Sequence, residues 1–216
     1  MNKANYQKEL EKILQDIEQV GRKWNPAGDC DAPALYLHSC CAPCSSYVLE
    51  YLSGYFQITV FYYNPNISEA EEYNKRAREQ MRLVMDLNAE GGRYPIQVVE
   101  GDYEPRQFYD MAEGLENCPE GGARCFGCYE LRLRETARKA AVAGADYFCT
   151  TLSISPLKNA EKINEIGSRL AQEYGTAWLP SDFKKKEGYK RSVELSAKHG
   201  LYRQDYCGCE FSKIRK

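Results

Sequence analysis

The sequence predicts an α/β domain, a mostly parallel sheet with helices on both faces, carrying an extra N-terminal helix. Three observations lead there. Short β-branched and aromatic runs alternate with longer amphipathic stretches, the rhythm of β–α–β units. The chain has 216 residues, 43% of them hydrophobic, enough for one sizeable core. Its densest cysteine group, Cys40-Cys41-Ala42-Pro43-Cys44, directly follows the first strand run. Open parallel sheets place their sites at the carboxyl ends of strands.

Leu10, Ile13, Leu14, Ile17 and Val20 recur at helical spacing and predict the first helix. Trp24 to Pro33, with Pro26, Gly28 and Pro33, reads as a linker, so residues 1–33 stand apart from 34–216. Ala34 to His38 is a short buried strand and Ser45 to Leu52 its following helix. Gln57 to Tyr63 is a second strand, broken by Asn64-Pro65-Asn66. Ser68-x-x-Glu71 has the form of a capping box opening a long helix to about Asn88. Ile96 to Glu100 is a third strand, Pro105 to Ala112 a short helix, and Glu113 to Ala123 a loop. Tyr129, Leu133, Thr136, Ala137, Ala140 and Ala141 share one helical face. Tyr147 to Leu152 is a fourth strand, Ala160 to Tyr174 a helix, Thr176 to Leu179 the last strand and Tyr189 to His199 the last major helix.

A formal charge of −2 gives no global field for nucleic acid. No 18-residue apolar run predicts a membrane helix, and Met1 to Val20 lacks the apolar centre of a secretory signal. The expected compartment is the cytoplasm. There ten cysteines point to metal binding or redox chemistry rather than structural disulfides. Cys149, inside Tyr147-Phe148-Cys149, and the isolated Cys30 read as small buried hydrophobes.

Cys40, Cys41 and Cys44 lie at the turn from strand to helix. Adjacent strand residues point to opposite faces, so Cys40 and Cys41 can share a centre only if the chain leaves the strand there. Pro43 suits a helix's first turn, and the helix N-terminus favours thiolate. Cys125-x-x-Cys128 precedes a second helix. Together the groups offer five sulfurs, where a closed zinc site or a cubane cluster needs four. The strand-end placement and the fifth sulfur favour iron–sulfur over structural zinc. A disulfide within Cys207-Gly208-Cys209 would close a small strained ring, easily reduced and suited to a switch, with Gly208 relaxing the backbone. The plainer alternative is two free thiols near a tail. Cys118 has no fixed geometry and is left outside the site.

At this point the residues resemble a family, the cobalamin-independent epoxyqueuosine reductases of the QueH type. The matching motifs are Leu37-His38-Ser39-Cys40-Cys41-Ala42-Pro43, Tyr63-Asn64-Pro65-Asn66-Ile67, Pro119-Glu120-Gly121-Gly122-Ala123-Arg124-Cys125-Phe126-Gly127-Cys128-Tyr129 and Arg132-Leu133. Thr150-Thr151-Leu152, Ser155-Pro156-x-Lys158-Asn159, Asp182-Phe183-Lys184-Lys185-Lys186-x-Gly188-Tyr189-x-Arg191-Ser192 and Tyr206-Cys207-Gly208-Cys209 follow in order. The match runs from about Leu35 to Ser212 and leaves residues 1–33 outside it. The resemblance implies a Rossmann-type domain related to adenine-nucleotide α-hydrolases, with 34–216 as the catalytic unit. It implies reduction of epoxyqueuosine to queuosine at the tRNA wobble position. It further implies that Cys40, Cys41, Cys125 and Cys128 hold a [4Fe-4S] cluster and that Cys207 and Cys209 are a redox-active disulfide. The position of Cys44 varies in the family, with Asp as the alternative. Both ligate metals, which suggests an adjacent mononuclear iron.

Deoxygenating an epoxide takes two electrons and two protons, whereas a cubane passes electrons singly, so a second redox element beside it is useful. Asp182, Asp205, Tyr129 and Tyr206 are unranked candidates for the proton donor, and the sequence does not identify the electron donor. From 183 to 216 there are ten Lys/Arg against four Asp/Glu, a net +6, leaving −8 for the first 182 residues. This suits a phosphate-contacting segment, with Lys184, Lys185, Lys186, Lys190 and Arg191 as the expected tRNA contacts. Tyr189, Tyr202, Tyr206 and Phe211 could stack on a flipped base. Lys158-Asn159 and the Gly121-Gly122 loop are further candidates for phosphate or nucleoside. Three rivals remain: a zinc-stabilised RNA-binding module without catalysis, a metal-free thiol–disulfide oxidoreductase, and an ATP-dependent tRNA-thiolation relative. The last is disfavoured because cysteines stand where a phosphate-cradling Gly–Ser loop belongs.

Overall fold

The computed structural model describes residues 4–25 and 31–213. Cys30, the middle of the linker and the last three residues of the basic segment lie outside them. In chain order the elements are α1 (Tyr6–Gln19), β1 (Ala34–Ser39), α2 (Ala42–Leu52), β2 (Gln57–Tyr62), α3 (Ala70–Glu90), β3 (Gln97–Glu100) and α4 (Pro105–Ala112). Then come α5 (Ala123–Val142), β4 (Tyr147–Thr150), α6 (Ala160–Tyr174), β5 (Ala177–Trp178) and α7 (Gly188–Lys198). Short 3₁₀ turns cover Thr151–Ile154 and Glu210–Ser212.

All strand pairs are parallel, in the order β3-β2-β1-β4-β5. From β1 the chain steps outward through β2 to β3, then returns to add β4 and β5 on the other side. Right-handed crossovers in opposite directions put α2 and α3 on one face and the connection through α5, with α6, on the other. The order reverses between β1 and β4, so their carboxyl ends flank the crevice where such folds bind ligands. β1, between two neighbours, is buried along nearly its whole length. Leu10, Leu14 and Ile17 of α1 join the same core as Leu35, Leu37, Val60, Phe148 and Leu133.

Four local expectations need correction. The helix after β1 starts at Ala42, not Ser45: Pro43 sits in its first turn and the Ser45 N–H already bonds the Cys41 carbonyl at 3.1 Å. Cys125-x-x-Cys128 does not precede its helix but lies inside α5, which starts at Ala123. The fourth strand stops at Thr150, whose hydroxyl accepts the Leu152 N–H at 3.2 Å and turns the chain into a 3₁₀ turn. The capping box is absent. α3 has Glu69 at its N-cap without a side-chain bond, and the Ser68 hydroxyl instead faces the Gly208 carbonyl at 3.4 Å. A distant strand of chain outcompetes the local cap.

Candidate metal centre

Cys40 directly follows β1, Cys41 is the N-cap of α2 in extended conformation, and Cys44 lies in the first helical turn. Because the chain leaves the strand there, their three sulfurs converge within 4.8 Å of one another. Among the described residues no other set of three or more ligating side chains is so close. The Cys40 and Cys41 sulfurs are 3.9 Å apart. Two thiolates on one tetrahedral ion with bonds of about 2.3 Å stand about 3.8 Å apart, so the Cys40–Cys41 pair already has the spacing of two ligands on one ion. The S–H groups of Cys41 and Cys44 donate to Cys40 and hold its thiol well below the usual range. The same bond to Cys40 pushes Cys41 up to about 12 and raises Cys44.

Buried polar bonds fix this turn from both neighbouring strands. His38 Nε2 is 3.0 Å from the Tyr63 carbonyl, which can only accept, so Nε2 carries the proton. Nδ1 then accepts from the Thr150 hydroxyl at 2.8 Å. Burial depresses His38 to about 3, so it stays neutral and is a strut rather than an acid. The Thr151 hydroxyl accepts the Cys40 N–H at 3.4 Å. Ser39 and Ser45 both donate to Gln80 Oε1 of α3, at 2.7 and 2.8 Å.

The other cysteines gather next door. Cys125 accepts the Gly121 N–H on its sulfur at 3.2 Å, and burial raises Cys128. Cys128 and Cys209 pack with Phe108 and Ala112, and Cys207 and Phe211 lie against them. Cys207 and Cys209 are free thiols in this structure. Cys209 donates to Cys207, lowering Cys207 and raising itself, and the Cys207 sulfur is 3.2 Å from the Ser212 hydroxyl. Their backbone is tied to the β2–α3 loop. Asn66 Nδ2 donates to the Cys207 carbonyl at 3.2 Å, and the Ser68 N–H to the Gly208 carbonyl at 3.2 Å. Gly208 has φ +104°, a conformation that only glycine adopts readily.

A cavity of about 290 Å³ joins these parts. Its wall includes Cys40, Cys44, Arg132, Lys158 and Cys207, with Tyr189, Arg203 and Asp205 towards solvent. A smaller cavity behind it is lined by Cys125, Cys128, Cys207 and Cys209, and shares Arg132 and Lys158 with the first. Lys158 pairs with Glu120 at 3.3 Å. Of the four proton-donor candidates, Asp205 and Tyr206 line the larger cavity, and Tyr129 lines the smaller one with a buried hydroxyl that has no partner. Asp182 is ion-paired to Lys184. Asn159 caps α6 by accepting the Lys162 N–H at 3.0 Å.

None of the five expected tRNA-contacting cations is among the residues lining either cavity. Lys184 pairs with Asp182, Lys186 with Glu11, Lys190 with Glu187, and Arg191 with Glu50 and Glu194. Lys185 is exposed and has no ion pair among the described residues. Cys149 is fully buried, with its thiol donating to the Leu179 carbonyl at 3.2 Å, as a core residue should be. Sequence reasoning gave no role to Arg76 or Arg132. Arg132 could have been found: it stands four residues after Cys128 and seven after Cys125, on their helix face.

Comparison with known proteins agrees with this arrangement of motifs. The profile of the family described as epoxyqueuosine reductase QueH matches residues 35–215. A Staphylococcus epidermidis protein of that name is 43% identical, the alignment covering 99% of this chain and 87% of the relative. It therefore takes in α1, which the motif resemblance had left outside. Relatives of the same name from Streptococcus pyogenes and Thermotoga maritima are 42% and 35% identical, covering 97% and 84% of this chain and 78% and 91% of their own lengths. The chain belongs to the epoxyqueuosine reductase QueH family.

Proposed function

We propose that this chain reduces epoxyqueuosine to queuosine at the wobble position of tRNA in the cytoplasm. One observation carries the reading: a cavity sized for part of one nucleotide is walled by thiols from two separate stretches of sequence, Cys40 and Cys44 from one and Cys207 from the other. The donor set suits a thiolate-held centre, since three sulfurs already converge and the Cys125 and Cys128 sulfurs line the adjoining cavity. In this reading Cys40, Cys41, Cys125 and Cys128 hold a [4Fe-4S] cluster, and Cys44 is left for an adjacent iron. Such a cluster supplies electrons one at a time.

The chain's own residues supply the rest. Epoxide removal needs two electrons and two protons and releases water. Oxidation of the Cys207 and Cys209 dithiol to a disulfide provides both pairs, and an external reductant restores the thiols. Arg132 and Lys158 make this end of the cavity cationic, and Arg203 at the mouth is placed for a phosphate. Exposed Tyr189 offers an aromatic face there for the extruded base.

The test is nucleoside analysis of tRNA bearing epoxyqueuosine after incubation with reductant and iron-loaded protein. Queuosine is the expected product; none, with iron verified, ends the proposal. The spacing of the Cys40, Cys41 and Cys44 sulfurs favours one alternative, a single zinc ion in an RNA-binding module. A colourless, zinc-containing protein from anaerobic purification would support that reading instead.

A further inference from the structure

Buried guanidinium groups are costly unless paired. Among the described residues three arginines are buried, and two have close partners. Arg76 pairs with Glu72 at 2.7 Å. Arg124 donates through Nη1 to the carbonyls of Leu115, Glu116 and Cys118 at 2.7 to 2.8 Å and lies over the Phe211 ring, although its buried Nε has no partner. Arg132 is 4% exposed and differs. Its Nε donates to the Cys128 carbonyl at 3.2 Å and its Nη1 to Asn64 Oδ1 at 3.4 Å, two long bonds to neutral acceptors. No carboxylate lies within ion-pair distance of it among the described residues.

What surrounds Arg132 is sulfur. It lines both cavities, and the ionisable groups that bear on it most are Cys128, Cys40 and Cys207, one from each cysteine-bearing stretch. Tyr129, Lys158, the neutral His38 and Tyr63 are its other charged or titratable neighbours. In the metal-free protein the facing thiols carry at most part of a compensating charge; thiolates bound to a metal carry it in full. The positive charge of Arg132 is therefore only partly matched in the metal-free protein and fully matched once thiolates ligate a centre around it.

We propose that Arg132 is a positioning residue that binds the separate cysteine groups to one anionic centre and sets that centre's reduction potential. This rests on the proposed function, in which the thiols hold an iron–sulfur centre. Reduction adds negative charge to the centre, and a fixed cation against it favours the reduced form. Charge compensation that is partial without metal and complete with it makes different demands on the two states. A packing residue makes the same demand on both.

The test compares wild type, Arg132→Met and Arg132→Lys. Met keeps the volume and removes the charge; Lys keeps the charge. Iron-free, reduced protein is unfolded in urea, and protein reconstituted with iron and sulfide is titrated against redox dyes by visible absorbance. Arg132→Met should unfold at the wild-type midpoint or above it when iron-free. When loaded, it should show at least a tenfold lower ratio of reduced to oxidised centre at fixed poise, 59 mV more negative for a one-electron couple. Arg132→Lys should recover most of that shift. An unmoved potential, or an iron-free Arg132→Met that fails to fold or unfolds at clearly lower urea, overturns the proposal. Wild type that takes up no iron–sulfur centre would refute the proposed function instead, and the iron-free comparison would still judge Arg132.

Discussion

Gly208 is where backbone conformation, the C-terminal segment and the cysteines meet, and Gly208→Ala probes all three. At φ +104° a non-glycine residue costs about 1–3 kcal/mol. The new Cβ would lie 2.7 Å from Ile67 Cγ1 and 3.3 Å from Arg76 Nη1, overpacking worth about 1–3 kcal/mol more. Against this the segment is held by a few polar ties: Asn66 to Cys207, Ser68 to Gly208, and Arg76 to the Tyr206 carbonyl at 3.4 Å. At about 1 kcal/mol each these sum to about 3 kcal/mol. The strain matches the ties, so the segment should detach while the sheet stays folded. Alkylation of Cys207 and Cys209 in the native protein should accelerate by about 30-fold or more, the equivalent of about 2 kcal/mol. The urea midpoint of the core should hardly move, and queuosine formation should collapse. Unchanged labelling together with unchanged activity would refute the claim that Gly208 holds this segment in its working position.

Three further outcomes follow from the same structure. Gly167→Ala would put a methyl group 2.2 Å from Trp178 Cδ2, so overpacking of about 3 kcal/mol should outweigh about 1 kcal/mol of gained helix propensity, giving a net loss of about 2 kcal/mol in urea unfolding. A neutral or stabilising result would contradict the α6–β5 packing. Cys207→Ala should keep the colour of the loaded protein and impair turnover; bleaching would mean that this pair ligates the centre. Lys185→Ala should weaken tRNA binding across sequences and lower its salt slope by about 1, and an unchanged slope would move the phosphate contacts elsewhere.

The fold was legible wherever local chemistry decided it. Ala160–Tyr174 runs from an Asn N-cap to a left-handed Gly175, and both bounds are readable from those two residue types. The β-branched run 57–62 and the convergence of Cys40, Cys41 and Cys44 were readable for similar reasons. Legibility failed where distant segments compete. Ser68 has the local form of a cap, yet it bonds Gly208, 140 residues away. The basic stretch around Lys184–Arg191 reads in sequence as one run of like charge, and only the fold shows that Glu11 and Glu50, far from it in sequence, pair with Lys186 and Arg191. Arg132 was hidden because an arginine on a helix gives no sign of being buried; only the packing of α5 on β1 and β4 shows it.

The central claim is that sulfurs from separate stretches build one redox centre. Iron and acid-labile sulfide content after anaerobic purification tests it most directly, for wild type beside Cys125→Ala. About four iron and four sulfide per chain in wild type, with both lost in Cys125→Ala, is the expected result. Zinc without sulfide, or a full iron–sulfur complement that survives Cys125→Ala, would contradict it.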